Sequence, residues 1–351
     1  MWSFGKQKSF LGVDLGAGGV KIVELKQEKN RPVLFTYGST HGAQDVHRLL
    51  PKQDKGAADL LPNASTNSKE EGSKEKMVME ESQIANYAAT LKAVCAGAKT
   101  VSKVVVASLP VSAVFHVIVN LPVVKKEDFD RIVRAEVKKL LPHPLEELVL
   151  DIQKLSTNPL AKSDRVLVNA VPKTLVMFYS KIFKQAGLEL DSLEPESVAL
   201  TRSLIGRDTA ITMLVDIGAE RTNFFIVEQT VPITHHSIEL GGKKINKILE
   251  QIMELDPSIT EQIKQDLFGF LVSAQNNGSL GKQKFLEIFN SIIEPIVKEI
   301  EYSLELYLRQ SDNANKHPEK VILTGGGSLF PFLAEYIADK FKLKCYIGDP
   351  W

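Results

Sequence analysis

Hydrophobic residues gather into short runs from the start of the chain, and the first pair of runs frames a polar turn. Residues 10–25, FLGVDLGAGGVKIVEL, open apolar, reach an acid at Asp14, pass Gly16, Ala17, Gly18 and Gly19, meet Lys21 and turn apolar again. That pattern predicts strand, tight turn, strand, with glycine where the turn needs a positive φ or a ligand comes close. Residues 32–37, PVLFTY, predict a third strand of the same sheet. Much later, residues 213–228, MLVDIGAERTNFFIVE, repeat the arrangement: Asp216, then Gly218 and Ala219, then Thr222 and Asn223 at the start of the second run. VDLGA and VDIGA are nearly one pentapeptide. Such a distant repeat, each copy with one acid at its turn, predicts two similar lobes facing a shared ligand.

Between the copies the pattern changes several times. Residues 39–76 are rich in Lys, Glu, Ser, Asn and Gly and poor in large apolar side chains, which predicts a flexible surface insert. Helical spacing of Ile84, Tyr87, Leu91 and Val94 predicts an amphipathic helix over 81–96. Strands follow at 104–108 and 114–121, then a helix whose stripe from Phe129 to Leu141 stops at Pro142 and Pro144, then strands at 148–155 and 165–171. Residues of about 111–158 therefore read as a small subdomain inserted in the first lobe, with the helical stripe as its core. Residues 174–186 are helical by period, and a strand at 188–193 runs into Glu194-Pro195-Glu196, where proline and acids suit a helix start. The first lobe is expected over 1–207 and the second over 208–351.

In the second lobe a strand at 231–238 leads to Leu240-Gly241-Gly242-Lys243, a glycine turn opening a mainly helical stretch to about residue 310. Pro295 should bend or interrupt the last of these helices. The strand at 320–323 runs into Thr324-Gly325-Gly326-Gly327, and Pro331 is expected to open the final helix. Strand, three glycines, helix is a further place where backbone can approach a ligand.

Composition narrows the chemistry. With 351 residues there is room for two buried cores, and Lys plus Arg equals Asp plus Glu at 43 each, so no overall field points to nucleic acid. No apolar run reaches membrane-spanning length and the first residues lack a signal-peptide core, which predicts a cytoplasmic protein. Cys95 and Cys345 lack metal-ligand spacing, and the adjacent His235 and His236 would face opposite sides of a strand. Glycine turns leave backbone N–H groups open to phosphate oxygens. An acid beside such a turn makes sense when a divalent cation lies between, held through water as Mg²⁺ prefers. A dinucleotide-binding enzyme is the first rival, but GAGGVK lacks the third glycine and a strand follows it. Neither a P-loop nor a GxSxG elbow occurs.

Taken in order, 13–21, 194–200, 214–223, 240–243 and 323–328 resemble the actin-like ATPase superfamily, which includes actin, sugar kinases and Hsp70 chaperones. The resemblance implies an α/β fold of two RNase H-like lobes binding ATP and Mg²⁺. It implies that Asp14 and Asp216 hold the phosphates and metal through water, beside Gly16, Ala17, Gly18, Gly19, Lys21, Gly218, Ala219, Thr222 and Asn223. Glu194 takes the place of the acid that orients the attacking water. Gly325, Gly326 and Gly327 resemble the adenosine loop, and Gly241, Gly242 and Lys243 the turn beside ribose and base. On the residues alone, Lys21 can equally be a solvated strand residue and Glu194 a helix-capping acid.

Within the superfamily, ASLPVSAVFHVIVNLP at 107–122, LLPHPLEELVLDIQ at 140–153, GLELDSLEPESVAL at 187–200 and the ending KCYIGDPW resemble the PilM family of type IV pilus assembly proteins. That family implies a 1C-type subdomain in the first lobe and a scaffold of the type IV pilus (or related type II secretion) inner-membrane platform that binds ATP, at most a slow Mg²⁺-dependent ATPase. It implies a partner, the short cytoplasmic tail of a PilN-like inner-membrane pilus protein, or further platform proteins and self-association, with no nucleic acid and no insertion into the membrane. The chain would then be recruited to the cytoplasmic face of the inner membrane. Alternatives are an FtsA-like cell-division or cytoskeletal ATPase and a small-molecule kinase; no stretch of the sequence reads as FtsA's amphipathic membrane helix, and no aspartate base for a kinase stands out. The polar insert is longer than the family leads one to expect.

Overall fold

A computed structural model describes residues 8–29, 31–40, 69–141, 144–155, 163–273, 278–309 and 316–349. The chain divides into two compact units, Met1–Glu194 and Pro195–Trp351.

The first unit begins with strands β1 (Ser9–Gly16), β2 (Gly19–Glu28) and β3 (Arg31–Ser39), helix α1 (Lys69–Gly97) and strand β4 (Val104–Leu109). After an inserted subdomain come helix α3 (Lys173–Ala186) and strand β8 (Glu189–Pro195). The sheet order is β3-β2-β1-β4-β8, with β1 antiparallel to β2 and parallel to β4. Alternation along β1 and β2 sends Leu11, Val13, Leu15, Val20 and Ile22 to one face, where Leu91 and Tyr87 of α1 and Tyr179, Ile182 and Phe183 of α3 bury them. The subdomain holds β5 (Phe115–Pro122), α2 (Lys126–Lys138), β6 (Leu148–Lys154) and β7 (Ser163–Pro172) in the sheet order β5-β7-β6. Val133 and Val137 of α2 close on Val119, Leu121, Val166 and Val168, with Phe129, Ile132 and Leu141 against them, so the apolar stripe of α2 is core. Its central strand β7 lies beyond residue 158, so the expected boundary of 111–158 leaves out the strand that holds the other two together.

The second unit repeats the plan. Helix α4 (Glu196–Leu204) precedes strands β9 (Thr212–Ile217), β10 (Thr222–Glu228) and β11 (Val231–Ile238). Helices α5 (Gly242–Met253), α6 (Pro257–Ser273), α7 (Gly278–Ile288) and α8 (Asn290–Leu308) follow, then β12 (Lys320–Thr324), α9 (Leu333–Phe341) and β13 (Lys344–Ile347). The order β11-β10-β9-β12-β13 copies that of the first sheet position for position, down to register. Asp14 pairs with Lys21 across β1–β2, and Asp216 pairs with Asn223 across β9–β10.

One difference between the copies is burial. In the first sheet the face away from α1 carries the row Gly12, Val23 and Tyr37, with Val23 36% and Tyr37 71% exposed. The same row in the second sheet is Leu214, Phe225 and His235, with Leu214 at 0% and Phe225 at 1%. Helix α4 packs on β11, and Leu204 reaches Gly348 beside Ile322, so the second sheet is covered on both faces.

Several boundaries depart from the sequence pattern. Strand β3 runs to Ser39 and α1 starts at Lys69, inside the stretch expected to be insert; residues 41–68 of that stretch, like Pro142, lie outside the described residues. The break between the last two helices of this stretch falls at Phe289, whereas Pro295, expected to bend or interrupt the last helix, sits inside α8. Only one turn of α8 precedes that proline, so the hydrogen bond it forfeits falls at the helix start, where few have yet formed. Pro331 does not open α9: Phe332 adopts a φ of 60° and the helix begins at Leu333. Strand β13 was not expected from the pattern, being four residues that only the neighbouring β12 defines.

A buried acid ties the first unit together. Glu24 is fully buried and accepts the Val101 N–H at 2.8 Å, the Ser102 N–H at 3.1 Å and the Ser9 hydroxyl. The chain entering β4 is thereby fixed to β1 and β2. Glu24→Ala takes the acceptor from the buried Ser102 N–H, at a cost of ~1–3 kcal/mol, and from the part-buried Val101 N–H. The midpoint of urea unfolding should fall accordingly with its slope unchanged, whereas an equal midpoint would show that water satisfies those N–H groups.

Candidate functional site

The first acid-bearing turn is short. Ala17 and Gly18 link β1 to β2, with Gly16 facing Gly19. Of its three glycines, Gly19 has the positive φ, 123°, and a Cβ there would fall 2.1 Å from the Thr40 carbonyl oxygen. Thr40 seals the turn by accepting the Val20 N–H on its hydroxyl at 3.0 Å and donating its own N–H to the Val20 carbonyl at 2.9 Å. Gly16 leaves room for the Asp14 carboxylate, whose Oδ2 would lie 3.1 Å from a Cβ at that position. Asp14 accepts from the Ser108 hydroxyl at 3.1 Å and pairs with the Lys21 ammonium at 3.3 Å.

In the second turn Asp216 accepts from the Asn223 side-chain amide at 3.2 Å, and Asn223 is buried. Gly218 donates its N–H to the Arg221 carbonyl at 2.9 Å, folding residues 218–221 back on themselves. Thr222 is fully buried and donates its hydroxyl to the Leu240 carbonyl at 2.5 Å, so this side chain joins β10 to the LGGK turn. The N–H groups of Gly242 and Lys243, at the start of α5, go to the carbonyls of Gly218 and Ala219 at 2.9 and 2.8 Å. Those two donors therefore pin the turn. Gly241 is needed for the same contact, since a Cβ there would lie 2.5 Å from the Glu220 backbone. Lys243 pairs with Glu220.

The triple glycine meets the same acid. Gly325 has a φ of 79°, and a Cβ on it would approach Asp216 Oδ1 to 2.6 Å and the Ile217 carbonyl to 2.5 Å. At Gly327 a Cβ would fall 2.2 Å from the Ile217 side chain. Gly326 differs from both: a Cβ there meets nothing within 4 Å. The segment Gly326–Leu329 is a short 3₁₀ turn rather than the start of the α-helix expected after the glycines. The second unit thus brings Asp216, Gly218, Ala219, Thr222, Asn223, Gly241, Gly242, Lys243 and Gly325–Gly327 into one connected group of backbone contacts. The first unit gathers Asp14, Gly16, Ala17, Gly18, Gly19 and Lys21 in its own turn. Glu194 is half-buried on β8, two residues before α4 begins, so the acid in the helix's first turn is Glu196.

Three contributors escaped the sequence pattern. Ser108 bonds Asp14 from the parallel strand β4, a contact that register alone reveals. Glu261 and Lys264 form a pair at 2.6 Å on α6; Lys264 also bonds Asn246 at 2.8 Å and lies 3.7 Å from a Cβ position on Gly242. Their i,i+3 spacing was the one signal available.

Other chemistries find little support. Burial, aided by Glu335, pushes the Cys345 thiol up to about 12, and burial also raises Cys95, so neither is a thiolate nucleophile near neutral pH. His236 is held by Glu299 at 2.7 Å. Among the described residues no group of three or more His, Cys, Asp and Glu side chains is arranged to hold a metal. An acid at each turn suits a hydrated Mg²⁺ that reaches protein through water.

The glycines separate fold from ligand. Gly327→Ala forces a methyl into Ile217 and should lower the thermal midpoint by several degrees, overpacking costing ~1–3 kcal/mol. Gly326→Ala should leave it unchanged, and equal midpoints for both variants would refute the close contact at Gly327.

Among the described residues no helix is long and apolar enough to cross a membrane. Comparison with curated protein sequences gave no match. The family model for type IV pilus assembly protein PilM matches residues 67–351. Among solved structures the fold is similar to that of the PilM–PilN type IV pilus biogenesis complex, with a TM-score of 0.69 and 21% identity over 97% of this chain and 88% of that one. It is also similar to the ethanolamine utilization protein EutJ from Carboxydothermus hydrogenoformans, with a TM-score of 0.52 and 13% identity over 98% and 86% of the two chains. The family match begins downstream of the first acid-bearing turn. This chain has the actin-like ATPase fold and belongs to the PilM family of type IV pilus assembly proteins.

Proposed function

We propose that this chain is an ATP-binding scaffold of the type IV pilus platform and holds the cytoplasmic tail of an inner-membrane partner in a nucleotide-dependent way. The observation that carries the reading is family membership together with a duplicated turn that sets one acid beside a glycine-containing turn in each unit. Mg²⁺ would supply charge neutralisation between those acids and the phosphates. Asp14 and Asp216 would receive its hydration shell, and the backbone N–H groups of Ala17 and Gly18 in the first turn and of Ala219 in the second would meet phosphate oxygens. Gly326, with open space above it, would let the nucleoside lie flat against the backbone.

Support for the partner comes from the similar structure, a PilM captured with PilN. A chain with no membrane-spanning helix among its described residues would gain its address at the inner membrane by gripping such a tail. The subdomain of 111–172 together with the first sheet is the surface we assign to that task, with ATP tuning the grip by coupling one site to the other. Glu194 would orient a water for hydrolysis.

Calorimetry with Mg²⁺–ATP tests the nucleotide. Asp216→Ala should weaken binding at least tenfold, about 1.4 kcal/mol. Gly326→Val should remove binding without loss of thermal stability. A folded wild-type chain that takes up no ATP would end this reading. Glu194→Gln should retain affinity and lose ~10²–10⁴-fold in turnover; equal losses in both would make the residue structural.

The partner is tested by anisotropy of a labelled PilN-like tail peptide with and without ATP. Binding should change between the two conditions and vanish when 111–172 is replaced by a short glycine linker in a protein that still binds ATP. Tail binding that ignores both changes would refute the assignment.

A further inference from the structure

The two acid-bearing turns share a register and differ in charge. Opposite Asp216 stands Asn223, a neutral amide that donates to one carboxylate oxygen at 3.2 Å. Opposite Asp14, at the same place in the repeat, stands Lys21, whose ammonium lies 3.3 Å from Oδ2. The other oxygen of Asp14, Oδ1, accepts from the Ser108 hydroxyl at 3.1 Å. Ser108 follows Ala107, the β4 residue registered with Val13, and so meets Asp14 from the parallel side. In the second unit Thr324, also a hydroxyl residue, is registered with Asp216.

Because the second turn forms the same hairpin with Asn223, the hairpin itself does not require a cation at this position. Nor does packing explain Lys21, whose side chain is 60% exposed against 34% for Asp14. An ion pair this exposed is weakly held and exchanges its partners readily. The ammonium nonetheless lies on Oδ2 of Asp14, the carboxylate oxygen that Ser108 does not bond.

On the reading that these turns seat Mg²⁺–ATP, we propose that Lys21 and the divalent cation compete for Oδ2 of Asp14, while Ser108 keeps Oδ1 in place as a positioning residue. Bare metal must displace the ammonium against like-charge repulsion and gains little. A triphosphate resolves the contest, since its oxygens offer Lys21 another partner and release the carboxylate to the hydrated cation. Metal and nucleotide then bind with positive coupling, each raising the affinity for the other by the same factor. Lys21 thereby makes the first turn selective for the metal–nucleotide complex over the free metal.

The experiment measures Mn²⁺ binding by electron paramagnetic resonance on the purified chain, first with no nucleotide. Lys21→Asn copies the second turn and keeps the hairpin. This variant should bind free Mn²⁺ about fivefold or more tightly than wild type, within the range of ordinary coupling between sites. Adding Asp14→Asn should abolish the gain. Adding Ser108→Ala instead should reduce it, and Ser108→Thr should restore it. With a non-hydrolysable ATP analogue present, the coupling between nucleotide and Mn²⁺ should be smaller in Lys21→Asn than in wild type.

Free Mn²⁺ bound equally or more weakly by Lys21→Asn, or by neither protein, would overturn the proposal. The metal-only arm decides it whether or not ATP binds. Failure of wild type to bind the analogue would instead count against the nucleotide reading.

Discussion

An antiparallel register that sets an acid opposite the seventh residue after it is the constraint on which each unit depends. Asp14 meets Lys21 and Asp216 meets Asn223 because both hairpins close over the same span. That span fixes which face of the sheet carries the acid. It also fixes which side chain of the neighbouring parallel strand arrives beside it, Ser108 in one unit and Thr324 in the other. A slip of one residue would turn the carboxylate to the opposite face, among the core side chains. The apolar alternation of β1 resists such a slip, since it would expose Leu11 and Val13 to water.

Around this shared frame the units diverge by insertion. In the first, a subdomain with its own core enters between β4 and α3, its sheet centred on β7. In the second, the space between β11 and β12 is filled by α5 to α8. Both insertions leave the sheet order intact, because connections at strand ends can lengthen at little cost in closure entropy. The divergence reaches the sheet surface as well. Val23 and Tyr37 stand exposed where Phe225 and His235 meet the side of the second sheet that α4 approaches.

Much of this was legible because strand and helix periods are local. The VDLGA and VDIGA repeat, the three glycines after β12 and the helical stripe of α2 each follow from a few neighbouring residues. What escaped depended on distant partners. Ser108 lies in an ordinary apolar strand, and parallel pairing alone brings it to Asp14. The short strand β13 exists through its register with β12. The bond of the buried Thr222 hydroxyl to the Leu240 carbonyl likewise joins residues far apart in the chain. Pro295 misled on where the last helices divide, since its cost falls only on a helix that extends well upstream of it.

Contact through backbone carries a consequence for how the second unit responds to whatever occupies it. Gly325 lies against the Ile217 backbone carbonyl and Gly241 against the backbone of Ala219 and Glu220, each too close for a side chain. The start of α5 donates two N–H groups into the same turn. Three segments distant in sequence therefore share one rigid junction with the acid at its centre. Side-chain contacts could yield by a change of rotamer, but backbone against backbone has no such freedom. A shift of the acid-bearing turn must be passed to α5 and to the glycine loop together, and that makes the turn, rather than any one side chain, the element through which a bound group would act on the rest of the unit.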